Sequence, residues 1–197
     1  MQAKTDSNYY YRKEWDAYIT AGDIKSLEAV YNCYFDVLFN YGCTFNCESQ
    51  CIEDAIQNVF ITLIKKQQQL TSVDNPHAYI LTAFRNEILQ LLIRNKRIHL
   101  HEHFKDSVFT PESSPEEVII QDETKSNLQS TLKSGIKKLS PGQQEIIFMR
   151  FEAGLSYEDI SRSLNISVES CRTAVYRAVK EIKRIVGSQD SGDRRSY

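Results

Sequence analysis

The sequence predicts an all-α protein made of two small helical domains joined by an acidic linker. Seven glycines and four prolines among 197 residues are few for a loop-rich β protein. Apolar residues recur at steps of three and four in several long segments, as on a helix with one buried face. A chain of this length suits one domain or two small ones.

The predicted helices and domains follow from these periodic segments and from the breaks between them. Five predicted helices are Trp15–Thr20, Ile24–Tyr41, Ser49–Gln67, Pro76–Arg97 and Gln143–Glu152. The last is opened by a capping box of Ser140 and Gln143, with Pro141 at the first helical position. The predicted domains are a polar segment with a short helix (1–20), a first bundle (21–100), an acidic linker (101–124), a second bundle (125–187) and a disordered tail (188–197).

The most specific local pattern is a pair of helices near the C-terminus, predicted over Tyr157–Leu164 and Ser167–Val186. Ser156 and Ser167 can cap their N-termini, and Gly154 ends the helix before them. Two helices joined by a three-residue turn, with a basic polar outer face on the second, predict a helix-turn-helix that enters a DNA major groove. This recognition face consists of Arg172, Thr173, Tyr176, Arg177 and Lys180. The alternative is a helical hairpin that only packs.

The charge distribution favours DNA binding by the C-terminal part. The formal charge of the whole chain is −2, which does not suggest nucleic acid. Residues 133–186, however, carry ten cations and six acids, whereas residues 101–124 carry seven acids and one lysine. Because clustered positive charge attracts phosphates, the second bundle is the predicted nucleic-acid-binding part.

The predicted helix Ser49–Gln67 has two unlike faces. Its expected core side consists of Ile52, Ala55, Ile56, Val59, Phe60, Leu63 and Ile64. Its other side, the acidic face, consists of Glu53, Asp54, Gln57, Asn58 and Ile61. Acids and amides around an exposed isoleucine indicate a protein contact, although a simply solvated helix face is the alternative.

The predicted helix Pro76–Arg97 ends in a basic cluster of Arg94, Lys96 and Arg97. Cations at this position complement the helix dipole, and this alone can explain them. The alternative is contact with phosphates, since lysine and arginine supply the sequence-independent part of nucleic-acid affinity.

Taken in order, these segments resemble a small sigma factor of the extracytoplasmic-function (ECF) group of bacterial RNA polymerase. The run from Glu53 to Phe60 (EDAIQNVF) matches the acidic-pair, Gln, Val-Phe signature of region 2.2. Phe84-Arg85-Asn86, ahead of the basic cluster, matches the Arg-Asn pattern of regions 2.3 and 2.4. Residues 139–186, beginning Leu-Ser-Pro, match region 4, so that the resemblance covers about residues 20–186.

The resemblance implies a role for each surface. The acidic face would bind the clamp helices of the polymerase β′ subunit, and the β flap would be a second contact on core polymerase. Asn86, Arg94, Lys96 and Arg97, together with the loop Gln67–Asn75, would engage the −10 promoter element, where a base is flipped out of the stack. The recognition face would contact the −35 element. An anti-sigma factor is a further partner that the family implies.

Three positions depart from the family pattern. Gln90 stands where the family often has an aspartate, Tyr79 where it usually has a tryptophan, and Ala174 where a basic residue is frequent. These differences bear on which promoter sequence is read.

The expected function is therefore to direct core polymerase to −10/−35 promoters and to aid promoter melting. The alternative is a stand-alone helix-turn-helix regulator with an N-terminal effector or dimerisation domain. No Gly-rich phosphate loop, metalloprotease motif or nucleophile elbow is present, so we expect neither an enzyme nor a cofactor. No run of eighteen apolar residues and no secretory signal is visible, which predicts a cytoplasmic protein with no membrane segment.

The cysteines and histidines leave other chemistry open. Cys43, Cys47 and Cys51 follow one another at steps of four, which suggests a zinc or iron–sulfur site, a redox-sensing disulfide, or bystander thiols. Paired knuckles from two segments, the usual zinc arrangement, are missing, so no metal site is predicted. Of the four histidines, three (His99, His101 and His103) are expected in the solvated linker.

Overall fold

The computed structural model describes the backbone of residues 2–102 and 131–193, and the side chains of residues 12–94 and 131–187. These two parts are referred to as the N-terminal and the C-terminal half. The predicted acidic linker lies outside the described residues from 103 onward, and the predicted tail does so from 194. The predicted domain limits stay predictions.

Every element of the described residues is helical, which confirms the predicted fold class. The N-terminal half contains α1 (Gln2–Ala21), α2 (Ile24–Cys43), α3 (Ser49–Lys65), a 3-10 helix (Gln67–Ser72) and α4 (Pro76–Glu102). The C-terminal half contains α5 (131–137), α6 (Pro141–Ile147), a π-helical turn (Phe148–Glu152), α7 (Tyr157–Leu164) and α8 (Val168–Asp193).

The N-terminal half is a bundle around an aromatic core. The side chains of Trp15, Tyr18 and Tyr34 are almost fully buried between α1, α2, α3 and α4. The Tyr18 hydroxyl donates to the Leu63 carbonyl at 3.1 Å, so its one polar atom is satisfied inside the core. At Gly42, a Cβ would overlap the side chain of Ile52, which explains a glycine where α2 crosses α3.

The C-terminal half is held by the capping residues that the sequence predicts. Ser140 and Gln143 form a reciprocal capping box at the start of α6. Ser156 Oγ accepts the Asp159 N–H at 3.0 Å, and Gly154 has a φ of 71°. These local interactions fix the ends of short helices whose apolar sides then pack against α8.

Four helix limits differ from the predictions by more than two residues, and one core assignment differs as well. The first helix begins at Gln2 and not at Trp15, α4 runs to Glu102, and α8 runs to Asp193. No proline interrupts these extensions, so polar composition alone did not end the helices. The predicted helix Gln143–Glu152 instead ends at Ile147 and continues as the π-helical turn, in which the Ala153 N–H donates to the Phe148 carbonyl at 2.9 Å.

Ile64 was expected in the core, and this is wrong, since 51% of it is exposed. It lies one turn after Ile61 on the exposed side of α3, whereas its neighbour Leu63 is buried. Similarly, His99 and His101 lie on α4 and not in a linker, and His103 lies outside the described residues.

Candidate nucleic-acid and polymerase interfaces

The recognition face is open to solvent along α8. Arg172, Thr173, Tyr176, Arg177 and Lys180 are all exposed, Tyr176 by 67%. The opposite side of the helix carries Cys171, Val175 and Ala178, which are buried against α6 and α7. The burial of one side therefore fixes which side chains α8 presents outward.

The turn ahead of α8 is held by side-chain hydrogen bonds. Asn165 adopts a left-handed conformation with φ of 54°, which ends α7. Ser161 Oγ donates to the Ile166 carbonyl at 2.6 Å, and the Ser170 N–H donates to Ser167 Oγ at 3.1 Å. The relative placement of α7 and α8 is thus set by the turn itself.

Two guanidinium groups lie against the ring of Tyr157, on the first turn of α7. Arg150 Cζ lies 4.6 Å from the ring centroid and Arg172 Cζ lies 5.7 Å from it. Arg172 is also 3.6 Å from the Glu169 carboxylate. The ring and the carboxylate restrict the Arg172 side chain, which reduces the rotamer freedom lost on binding a base or phosphate.

A groove of about 890 Å³ extends the recognition face sideways. Thr173 and Arg177 line it from α8, Ser167, Glu169 and Ser170 line it from the start of the same helix, and Ser140 lines it from the start of α6. Hydroxyl groups and arginine side chains are donors to phosphate oxygens, so the groove can hold a DNA backbone beside the base-reading residues.

The acidic face of α3 is open in part. Asp54, Gln57 and Ile61 are exposed, and Gln50 Nε2 donates to Asp54 Oδ1 at 3.0 Å. Glu53 is half-buried. Asn58 is also half-buried and donates through Nδ2 to Glu87 Oε1 of α4 at 3.0 Å, so its amide is engaged within the bundle.

The sequence pattern missed an apolar extension of this face. Ile61 and Ile64 are exposed by 45% and 51%, and they are neighbours one turn apart. An exposed isoleucine pair beside Asp54 and Gln57 is an apolar centre with a polar rim, which is the anatomy of a protein contact.

The residues predicted to engage the −10 element lie along α4. Asn86 and Arg94 are exposed and two turns apart. Arg94 Nη2 donates to Gln90 Oε1 at 3.3 Å and lies 4.0 Å from Glu87 Oε1. Lys96 and Arg97 continue the same helix, but their side chains lie outside the described part.

The loop Gln67–Asn75 is fixed at both ends. Gln67 Nε2 donates to the carbonyls of Tyr18 and Ile19 at 3.1 and 3.2 Å. Asn75 Oδ1 accepts the Ala78 N–H at 3.1 Å and thereby caps α4. Most of this predicted loop is the 3-10 helix Gln67–Ser72, in which Leu70 is buried, and the exposed side chains of the segment are polar.

A polar cluster that the sequence did not predict connects the two halves. Glu145 Oε1 accepts from Arg85 Nε at 2.8 Å and from the Tyr41 hydroxyl at 2.9 Å. Burial and the charge of Glu145 raise the pKa of Tyr41 far above its ordinary value, so the hydroxyl stays a donor. These residues are 60 and 104 positions apart along the chain, and no local pattern signals such a pairing.

Cys43, Cys47 and Cys51 are free thiols. Burial, together with the nearby Cys51, raises the pKa of the Cys47 thiol to about 12. A thiol with such a pKa is protonated at neutral pH and is a poor nucleophile. Among the described residues, no three histidine, cysteine or carboxylate side chains are grouped closely enough to hold a metal ion.

No helix among the described residues combines the length and apolar character that crossing a bilayer requires.

The C-terminal half matches a known protein family. Residues 131–182 match the family described as Sigma-70, region 4. This segment contains α5 to α7 and the part of α8 that carries the recognition face.

Two relatives extend the similarity to the N-terminal half. The chain is 24% identical over 176 residues to the ECF RNA polymerase sigma factor BldN of Streptomyces coelicolor, with 84% of this chain and 62% of that protein aligned. It is 21% identical over 161 residues to the RNA polymerase sigma factor YlaC of Bacillus subtilis, with 81% of this chain and 91% of that protein aligned.

A solved structure shows the same fold. The sigma factor RpoE of Bartonella quintana, in complex with the anti-sigma factor NepR, superposes with a TM-score of 0.57 at 19% identity. The superposition covers 78% of this chain and 94% of that one. The family match and the two relatives confirm the predicted resemblance of this chain to sigma factors of the ECF type.

Proposed function

We propose that this chain directs core RNA polymerase to promoters that carry −10 and −35 elements and aids promoter melting. The observation that carries the proposal is a pair of open surfaces in one chain. The basic recognition face on α8 suits DNA, and the acidic face on α3 suits a protein. Such a factor needs no active site of its own, and it works in the cytoplasm, where the polymerase is.

At the −35 element, the recognition face would supply both kinds of DNA contact. Arg177 and Arg172 can donate two hydrogen bonds each to a guanine edge or to a phosphate. The hydroxyl groups of Tyr176 and Thr173 can form further hydrogen bonds with DNA. The groove beside Arg177 can hold the DNA backbone. Ala174 offers no polar atom, so base reading rests on its neighbours.

At the −10 element, α4 and the preceding loop would bind melted DNA. The exposed amide of Asn86 can read a base edge, while Arg94, Lys96 and Arg97 neutralise phosphates further along the helix. Unstacking a base costs a few kcal/mol, roughly, and binding of the flipped base offsets this cost. The chain would thus favour the open over the closed duplex.

The polymerase contact would be made by the acidic face. Asp54 and Gln57 supply charge and hydrogen bonds, and the exposed pair Ile61 and Ile64 supplies apolar area. The clamp helices of β′ are the proposed partner here, with the β flap as the contact of the C-terminal half. Asn58 acts indirectly in this proposal, because its amide holds Glu87 of α4.

An anti-sigma factor is a proposed regulator. The Bartonella protein with a similar fold is solved in complex with such a factor. An inhibitor of this chain would have to cover the acidic face or the −10 residues, since these are the surfaces that a polymerase and a promoter need.

The stand-alone regulator is not favoured. Both relatives are sigma factors, and each aligns with more than four fifths of this chain, including the N-terminal half. A regulator that shared only the helix-turn-helix would match in the C-terminal half alone.

Run-off transcription with purified core polymerase tests the proposal. The chain is expected to yield a core-dependent transcript from at least one promoter in a genomic library. Asp54→Ala should lower the yield and weaken co-elution with core by about 5- to 30-fold, equivalent to about 1–2 kcal/mol for a contact in an interface. The matched control is Glu28→Ala, which removes an exposed carboxylate from α2 and should change neither measurement. Absence of any transcript with the unmodified chain contradicts the proposal.

A further inference from the structure

The segment Gln67–Asn75, which the proposed function assigns to the −10 element, is attached to α1 at both of its ends. At the first end, Gln67 Nε2 donates to two carbonyls near the end of α1, at 3.1 and 3.2 Å. At the other end, Arg12 Nη1 donates to the Asp74 carbonyl at 2.7 Å. The partners are 48 to 62 positions apart along the chain, so only the fold brings them together.

A second interaction on α1 orients the Arg12 guanidinium. Its Nε donates to the two carboxylate oxygens of Asp16, one helical turn further along, at 3.0 Å each. The planar fork of an arginine can bind a carboxylate and a carbonyl at the same time, whereas a lysine ammonium lacks this fixed geometry. The Asp16 carboxylate therefore aims Nη1 at the Asp74 carbonyl.

The attachment of Gln67 fits closely against the turn that ends α1. Gly22 has a φ of 68°, a conformation that residues with a Cβ rarely adopt. Its N–H donates to the Tyr18 carbonyl at 2.8 Å, and the same oxygen accepts from Gln67. A Cβ at Gly22 would lie 3.4 Å from Gln67 Nε2. The Gln67 amide is thus engaged within the bundle, although the residue belongs to the proposed −10 segment.

Between these two attachments the segment has a buried and an exposed side. Leu70 is 3% exposed and belongs to the core, and α1 packs along the 3-10 helix that carries it. The outward side chains are polar and exposed, namely Gln68, Gln69, Thr71 and Ser72. These hydrogen-bonding groups therefore project from a backbone that is held at its centre and at both ends.

We propose that α1 is the scaffold of the −10 reader, and that Arg12 and Gln67 are its positioning residues. Ordering a flexible segment opposes DNA binding, and a segment that is already held avoids this cost. Neither residue contacts DNA, and each acts through the exposed side chains between the two attachments. The inference rests on the proposed function, because that function makes the segment a promoter contact.

Arg12→Ala in the full chain, bound to core polymerase, tests the positioning role. The Arg12 side chain is 52% exposed and an exposed ion pair contributes little to stability, so the variant should fold. The matched control is Lys13→Ala, which removes the next exposed cation of α1. Fluorescence anisotropy measures affinity for a single-stranded non-template −10 oligonucleotide, for the same oligonucleotide with a scrambled −10 element, and for a −35 duplex. All three are measured at one salt concentration.

Arg12→Ala should weaken binding of the −10 oligonucleotide by about 3- to 10-fold relative to Lys13→Ala, the net effect of one hydrogen bond that orders a binding segment. Affinity for the scrambled oligonucleotide and for the −35 duplex should equal that of the control. Arg12→Lys keeps the charge without the fork and should restore only part of the loss. Gln67→Met keeps the side-chain length, removes the donor at the other end, and should give a loss of similar size.

A general loss of stability would not produce this selective result. Circular dichroism confirms that each variant is folded. Equal −10 affinities of Arg12→Ala and Lys13→Ala overturn the proposal. An equal loss on the −10 oligonucleotide and the −35 duplex also overturns it, because Arg12 would then support the fold as a whole.

Run-off transcription with the unmodified chain separates this inference from the proposed function. A core-dependent transcript, together with an Arg12→Ala variant that behaves like its control, removes the positioning role and leaves the sigma-factor function. Absence of any transcript removes the function. Amide hydrogen exchange of the free chain then still decides the attachment, because residues 67–75 should exchange faster in Arg12→Ala than in Lys13→Ala. Equal exchange would show that Arg12 does not hold the segment.

Discussion

The two helices predicted to contact DNA differ in how much of their polar surface is open. On α8 all five residues of the recognition face are exposed. On α4 Asn86 and Arg94 are exposed, whereas Arg85 is bound to Glu145 and Asn75 to Asp159. The proposed −35 surface on α8 is thus open along its whole length. The proposed −10 residues Asn86 and Arg94 are open too, but polar residues beside them are engaged within the chain.

The largest expected effect comes from the open helix. Arg177→Ala should weaken binding of the polymerase–sigma complex to promoter duplex by about 1–3 kcal/mol if Arg177 makes a bidentate base contact. The matched control is Lys183→Ala, an exposed cation of α8 that lies outside the recognition face. An electrophoretic mobility assay with intact and scrambled −35 sequences measures the difference. An equal loss on both sequences would assign Arg177 to phosphate contact only.

A substitution on α4 should affect DNA melting and not duplex binding. Asn86→Ala should lower open-complex formation by about 1–2 kcal/mol, since one base-edge contact is lost, and should leave duplex binding at −35 nearly unchanged. Potassium permanganate reactivity of unpaired thymines measures the open complex. Equal defects of Asn86→Ala and Arg177→Ala in both assays would remove the difference between the two helices.

The orientation of the recognition helix depends on its cap. Ser167→Ala removes the oxygen that accepts the Ser170 N–H at 3.1 Å and should cost about 1 kcal/mol of stability. The urea midpoint of the chain should fall, and −35 affinity should fall with it at temperatures near the melting transition. Ser167→Thr is the control, because threonine keeps an oxygen that can accept the Ser170 N–H. An unchanged midpoint for Ser167→Ala would show that packing alone fixes the start of α8.

The smallest effect concerns pH and the contact between the halves. Burial lowers the pKa of His77 below its ordinary value of 6.5, although the hydrogen bond to Ala153 and the Asp159 carboxylate oppose the shift. Between the lowered pKa and 6.5 the unfolded chain binds more protons than the folded one, so stability falls as pH drops below 6.5. The free energy of unfolding, measured by urea denaturation, should therefore be lower at pH 5.5 than at pH 7.5, by less than about 1 kcal/mol. His77→Gln should reduce this difference, and an unaltered pH dependence would exclude His77 as its source.

The sequence predicted what depends on neighbours within one or two helical turns. The recognition face of α8 follows from a period of 3.6, and the caps at Ser140, Ser156 and Ser167 follow from residue types at fixed offsets. Asp54, Gln57 and Ile61 were placed on an exposed face for the same reason.

What the sequence missed depends on partners far along the chain or on the length of an element. Arg85 lies on α4 among residues of mixed character, and only the fold places Glu145 opposite it. Ile64 continues the apolar period of α3, but Leu63 occupies the buried position there and Ile64 is exposed on the side of Ile61. The extra turns of α4 and α8 were missed because polar helices carry no apolar period, and a polar helix and a polar coil look alike in sequence.

The contrast between the two helices also separates the sigma-factor function from a stand-alone regulator. A regulator would use the open α8 face alone, as a dimer on two half-sites, and would leave the duplex closed. A sigma factor would use both helices, and only with polymerase bound to α3.

The central claim is that this chain opens promoter DNA only together with core polymerase. Permanganate footprinting of one promoter, with the chain alone and with the chain plus core polymerase, tests that claim most directly. We expect no reactive thymines with the chain alone, and reactive thymines across the −10 element when core polymerase is added. Specific protection of the duplex by the chain alone, with no core-dependent reactivity at −10, would contradict it.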